Sequence, residues 1–115
     1  MFQDKMVLCA SSAYEKKFYL NENFEGLPQH VKDELKIMCV LFTEDVGGVL
    51  SLEFDENGNL ELNTSADEGD LLYDEIGSVL KIKQIQADKR ELLEALEMYY
   101  RAIFLHEDIS ELLED

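Results

Sequence analysis

Five carboxylates fall within nine residues, at Asp67, Glu68, Asp70, Asp74 and Glu75. Acids crowded in this way can hold Mg²⁺ or Ca²⁺ through oxygen ligands, or raise one another's pKa for acid–base work. The same pattern is also what a helix start selects, because its free N–H groups and dipole stabilise negative charge. No His or Cys lies beside the cluster to add metal selectivity. The helix-start reading is therefore preferred, with Asp67, Glu68, Asp70 and Asp74 kept as weak metal candidates. A second acidic run, from Glu53 to Gly58, can be laid on a calcium-binding loop with Gly58 at its sixth position. The twelfth position then falls on Thr64, where a bidentate Glu is required, so the match fails.

Nucleophilic chemistry finds little support. His30 and His106 are far apart in sequence and in polar surroundings, which reads as two surface histidines. Cys9 and Cys39 each sit inside an apolar run, a setting for buried free thiols and not for the electropositive, partly open site that an activated thiolate needs. Tyr99, Tyr100 and Phe104 at helical spacing suggest core or dimer packing. There is no Gly-rich phosphate loop, zinc spacing or Gly-Xaa-Ser-Xaa-Gly elbow. The reading assigns no catalytic residue, no cofactor and no firm metal site.

Charge is the dominant feature. From Ile37 to Leu80 the chain has eleven carboxylates and no Lys or Arg, although ten bases spread evenly over 115 residues would place about four there. The formal net charge is −16. Such a surface repels the phosphates of nucleic acids and anionic membranes, which need a cationic footprint, and it attracts a basic protein partner. The candidate contact residues are Glu53, Glu61, Asp67 and Asp70. The longest uninterrupted apolar run, Ile37 to Phe42, is far short of the roughly 20 residues that span a bilayer. Two cysteines expected to be free, and no signal-peptide pattern at the amino terminus, predict a cytoplasmic protein.

The elements that must position these residues can be read from periodicity. Lys5–Cys9 and Lys16–Leu20 predict two strands joined through Ser11-Ser12. Pro28 suits a first helical turn, and Val31, Leu35, Met38 and Phe42 follow at spacings of four, three and four, predicting a helix from Pro28 to Asp45 that Gly47-Gly48 ends. Its second half is apolar all round, which predicts burial on several sides. Leu50, Leu52 and Phe54 alternate with polar residues, as do Leu60, Leu62 and Thr64. A three-residue loop, Glu56-Asn57-Gly58, pairs Phe54 with Leu60, Leu52 with Leu62 and Leu50 with Thr64, and places Gly58 at the left-handed position. From Asp70 the pattern is helical to Phe104, with a break near Ala87-Asp88. Leu72, Ile76, Val79 and Leu80 form one apolar stripe; Asp88 and Glu91 form a capping box; and Leu92, Leu96, Tyr99 and Ile103 form the buried face of the last helix. Glu97 and Arg101 form an i,i+4 pair.

The predicted fold is therefore α+β, in the order β-β-α-β-β-α-α: an antiparallel sheet of about four strands, a buried helix after the second strand and two C-terminal helices. The expected core is Leu35, Met38, Phe42, Leu52, Phe54, Leu62, Ile76, Leu96 and Ile103. One domain accounts for residues 1–115, with a frayed acidic tail at 106–115.

The stretch from Val31-Lys32-Asp33-Glu34-Leu35 through Phe42-Thr43-Glu44-Asp45-Val46-Gly47-Gly48, with Gly69-Asp70 and Tyr73-Asp74-Glu75-Ile76-Gly77, resembles a family of small acidic proteins from anaerobic Gram-positive bacteria, a domain of unknown function. The resemblance implies a bacterial, cytoplasmic context and carries no activity or ligand. The leading expectation is a non-enzymatic interaction protein, monomeric or homodimeric, that presents an acidic face to a basic partner or uses its final helix to self-associate. The alternative is a small enzyme or metal-dependent binder using the carboxylates from Asp67 to Glu75.

Overall fold

The computed structural model describes residues 5–106. Its elements are β1 (Met6–Ser12), β2 (Lys17–Leu20), one 3-10 turn (Glu22–Phe24), α1 (Gln29–Val46), β3 (Val49–Phe54), β4 (Leu60–Ser65), α2 (Glu75–Asp88) and α3 (Arg90–Ile103). The strands form one antiparallel sheet in the order β2-β1-β3-β4. The predicted α+β class and element order hold.

The β3–β4 hairpin has the predicted register, with Phe54 opposite Leu60, Leu52 opposite Leu62 and Leu50 opposite Thr64. Asp55 N–H donates to the Asn59 carbonyl at 2.9 Å, which leaves the loop Glu56-Asn57-Gly58, and Gly58 has φ 85°. The Asp55 carboxylate accepts the Asn57 and Asn59 N–H groups, each at 2.9 Å. These bonds, that from Asn59 foremost, hold its pKa below the ordinary carboxylate value. The run that superficially resembled a calcium loop is thus a hairpin turn.

Strand β1 is longer than predicted. Ser11 and Ser12 are not the connection but the end of the strand, and the turn runs through Lys16, at φ 53°. Ser11 is buried, and its hydroxyl bonds the Thr43 hydroxyl of α1 at 2.8 Å, so a polar residue can continue the strand inside the core. A bulge between Val7 and Cys9 turns both Leu8 and Cys9 inward. The Cys9 and Cys39 thiols lie 3.9 Å apart, both buried and free. The contact with Cys39, and then burial, push the Cys9 thiol far above its ordinary pKa, consistent with structural thiols.

Helix α1 lies on β1, β2 and β3, and α3 packs against β4. Leu35, Met38, Cys39, Phe42 and Val46 join Leu50, Leu52 and Phe54 in the core. The all-round burial predicted for the second half of α1 fails, however: Ile37 and Leu41 are 60% and 58% exposed. At the hairpin end of the sheet, Phe24, Phe54, Tyr100 and Phe104 stack, with the Phe54 and Tyr100 rings 4.2 Å apart and nearly parallel at 6°.

The C-terminal half departs most from expectation. Helix α2 starts at Glu75 and not Asp70, because residues 70–74 form a loop ended by the Asp74 cap. Asp88 is the last residue of α2, Lys89 alone separates the helices, and no side chain caps α3, so the Asp88–Glu91 capping box is absent. Leu93, Leu96 and Tyr100 form the buried face of α3, while Ile103 is exposed; Ile76 is exposed too, and both leave the predicted core. Leu62 is half-buried and packs against the core from outside. Glu97 and Arg101 do not pair. Glu97 accepts the Leu60 N–H at 2.7 Å, and Arg101 donates to the Asn57 carbonyl and the Asn59 side chain at 3.1 and 2.7 Å. Both thereby tie α3 to the hairpin and protect part of its edge strand. Of the predicted tail, His106 is exposed and the rest lies outside the described residues.

Among the described residues, the ion pairs are Lys5–Glu61, Lys32–Glu25, Lys81–Asp45 and Lys89–Glu34, few against 26 acids in the chain. Screening should therefore relieve more repulsion than it removes attraction. The melting temperature is expected to rise between low and moderate NaCl at neutral pH. A fall would show that the acids are internally compensated.

Candidate interaction surface

The loop between β4 and α2 is built by short-range bonds from its own acids and one long-range clamp. Tyr14, in the β1–β2 turn, donates its phenol to Asp70 Oδ2 at 2.5 Å and accepts the Asp67 N–H at 2.8 Å. Asp70 Oδ1 accepts the Leu72 N–H at 2.9 Å, and Asp74 Oδ1 accepts the Gly77 N–H at 2.8 Å, capping α2. At the loop's far end, the Asp74 N–H donates to the Val46 carbonyl at 2.8 Å, and the Tyr73 phenol donates to Ser78 Oγ at 3.0 Å. The carboxylates of Asp70 and Asp74 therefore serve as a turn and a cap. Among the described residues, no group of three or more His, Cys, Asp or Glu side chains is placed to hold a metal ion, and Asp67, Glu68, Asp70 and Asp74 do not converge as one.

The Tyr14 bond lowers the pKa of Asp70, and Asp70 in turn raises that of the Tyr14 phenol. The raised phenol pKa favours the protonated form in the folded chain. The clamp's contribution is thus present below the ordinary tyrosine pKa of 10 and is lost as pH rises through the folded value. A spectrophotometric difference titration of the parent against Tyr14→Phe is expected to assign to Tyr14 a phenol that ionises above the ordinary tyrosine pKa. A difference curve centred at the ordinary tyrosine value would contradict the clamp.

Anchoring Tyr73 and Ser78 inward turns the predicted apolar stripe outward. Leu71, Leu72, Ile76, Val79 and Leu80 are between 52% and 95% exposed, five large apolar side chains in ten residues. Soluble proteins seldom leave so many together without a partner. They share the stretch 67–80 with Asp67, Glu68, Asp70, Asp74 and Glu75, so this segment is both apolar and anionic.

Of the four predicted contact residues, Asp67 and Asp70 belong to this surface, with Asp67 exposed and Asp70 half-buried. Glu53 and Glu61 do not adjoin them. They sit directly opposite each other across β3 and β4, where Lys5 bonds Glu61 at 2.9 Å and Ser51 donates to Glu53 at 2.9 Å. Glu61 lies near the hairpin end of β4, whereas Asp67 lies two residues beyond the strand's other end at Ser65. The structure thus divides the acidic face into a hairpin pair shielded by Lys5 and a loop cluster that enters none of the ion pairs of the described residues.

Two hollows flank α1. An open groove of about 830 Å³ runs between α1 and α2, with Ile37, Met38, Leu41, Phe42 and Ile85 among its apolar lining. Lys81 pairs with Asp45, and Lys89 with Glu34 at 2.9 Å, tying α1 to α2 along it. The other hollow, of about 820 Å³, lies beside the β1–β2 turn, where Lys16, Lys17 and Lys36 are offset by Glu44, Asp45 and Asp70. Sequence reasoning missed the α1–α2 groove, although the spacing of Asp33, Ile37, Leu41 and Glu44 along one side of α1 was available to it. His30 and His106 are exposed, and His30 lines the α1–α2 groove.

An antiparallel sheet layered with helices and an acidic, apolar loop–helix surface define a small acidic α+β protein. The chain belongs to DUF6145, a family of unknown function, whose profile matches residues 5–108. No curated protein and no solved structure matches the chain. No helix among the described residues is long and apolar enough to cross a membrane.

Proposed function

We propose that this protein is a non-enzymatic interaction module that docks a basic protein partner on the surface formed by the Asp67–Asp74 loop and the outward side of α2. The single observation that carries the reading is the exposure of Leu71, Leu72, Ile76, Val79 and Leu80 within residues 67–80, a stretch of sequence with five carboxylates and no Lys or Arg. The apolar side chains supply area to be buried, and the acids select a partner rich in Lys or Arg and speed its approach. Self-association through the same surface is disfavoured, since a two-fold contact sets these acids against their own copies. Glu53 and Glu61 extend the attractive field from the hairpin and are not part of the buried contact. A cytoplasmic setting, with both thiols reduced, suits the reading.

The test is affinity capture from the native cell extract with the parent chain and with Leu72→Ser/Ile76→Ser. Both positions are exposed, so circular dichroism and melting should be little changed. A basic protein retained by the parent and lost by the variant is the expected result. Equal retention by both would remove this surface from the interaction.

A further inference from the structure

We infer that the groove between α1 and α2 is a receptor for one amphipathic α-helix of a basic partner. Asp33, Ile37, Leu41 and Glu44 follow at i, i+4, i+8 and i+11, which places them within about 80° of one another around α1. The stripe reads acid, apolar, apolar, acid, and all four residues line the groove. Ile37 and Leu41 are more than half exposed, with Met38, Phe42 and Ile85 behind them. From Asp33 to Glu44 the stripe is about 16 Å long, or three helical turns, the span over which a helix lays two or three apolar anchors into a groove.

Charge decides the occupant. Lys81 and Lys89 are already paired with Asp45 and Glu34, whereas Asp33, Glu44 and Asp88 on the rim face no cation in any of the ion pairs of the described residues. A fitting helix carries two apolar side chains about one turn apart, flanked by Lys or Arg about three turns from each other. The chain's own segment 107–115 has five acids and no base and is repelled by this rim. A second copy, with a net charge of −16, is repelled as well. The inference rests on the proposed function only for the basic character of the partner; it uses a different surface and different residues.

The probe is a fluorescent, alanine-based helical peptide of about fifteen residues, with two Leu four apart and flanking Lys about eleven apart, read by anisotropy at low salt. The parent chain is expected to bind it and to bind the Glu-for-Lys peptide at least about tenfold more weakly. Ile37→Asp/Leu41→Asp should abolish binding, and Asp33→Lys/Glu44→Lys should weaken it by about tenfold or more. All four positions are exposed, and circular dichroism confirms the fold of each variant. Leu72→Ser/Ile76→Ser should bind the peptide as the parent does, which separates this groove from the surface of the proposed function. Failure of the parent to bind, equal binding by the groove variants, or a dimer that the groove variants dissociate would each overturn the inference.

Discussion

Phe54→Ala is expected to lower the free energy of unfolding by about 3 to 5 kcal/mol, measured by denaturant or thermal melting. The ring is fully buried at the hairpin end, stacked on Tyr100 and packed against Phe24, so truncation opens a cavity lined by rigid aromatic faces that cannot collapse into it. Ile76→Ala and Ile103→Ala, by contrast, should change stability by no more than about 0.5 kcal/mol, because both side chains are exposed. A loss above about 2 kcal/mol at Ile76 would mean that α2 is rotated to bury the other side.

The second large effect is expected at Gly48, where Ala should destabilise by about 2 to 4 kcal/mol. Its φ of 70° costs an L-residue roughly 1 to 2 kcal/mol, and an added Cβ meets the Ser65 carbonyl and the Tyr73 ring, an overpacking cost of similar size. This glycine joins the fold to the proposed surface. Tyr73 fixes the start of α2 through Ser78, so displacing its ring also loosens the loop that carries Asp67 and Asp70. Melting gives the stability loss, and amide exchange across residues 67–78 should rise more than at the hairpin. Unchanged exchange there would break that link.

The sheet was readable from sequence wherever geometry leaves one solution. A period of two, a loop of three residues and a glycine at the left-handed position fixed the β3–β4 register, because any one-residue slip turns Leu52 and Phe54 outward. Helix α1 was legible from Pro28 to Gly47 for the same reason. The phase of α2 was not. Ile76, Val79, Leu80, Ile82 and Ile85 lie nearly all round this helix, so spacing alone chose the wider stripe. What decides the phase is Tyr73, which packs against the core and turns Ser78, Ile82 and Ile85 inward. Likewise, the Tyr14 clamp on Asp67 and Asp70 joins residues more than fifty apart, and no local pattern encodes it. Of the carboxylates read as helix-start acids, Asp74 and Glu75 sit at the start of α2, whereas Asp67, Glu68 and Asp70 lie in the loop before it. The division of the acidic face into a hairpin pair and a loop cluster required the sheet.

The most direct test of the central claim is the association rate of the captured partner, followed by stopped flow across a range of salt, with the parent and with Asp67→Lys/Asp70→Lys. If the loop cluster steers a basic partner, the parent rate falls steeply as salt rises, while the variant starts at least about tenfold slower at low salt and shows a flatter dependence. Equal rates for the two proteins at low salt would contradict the account and leave the acids of this loop as solvated charge alone.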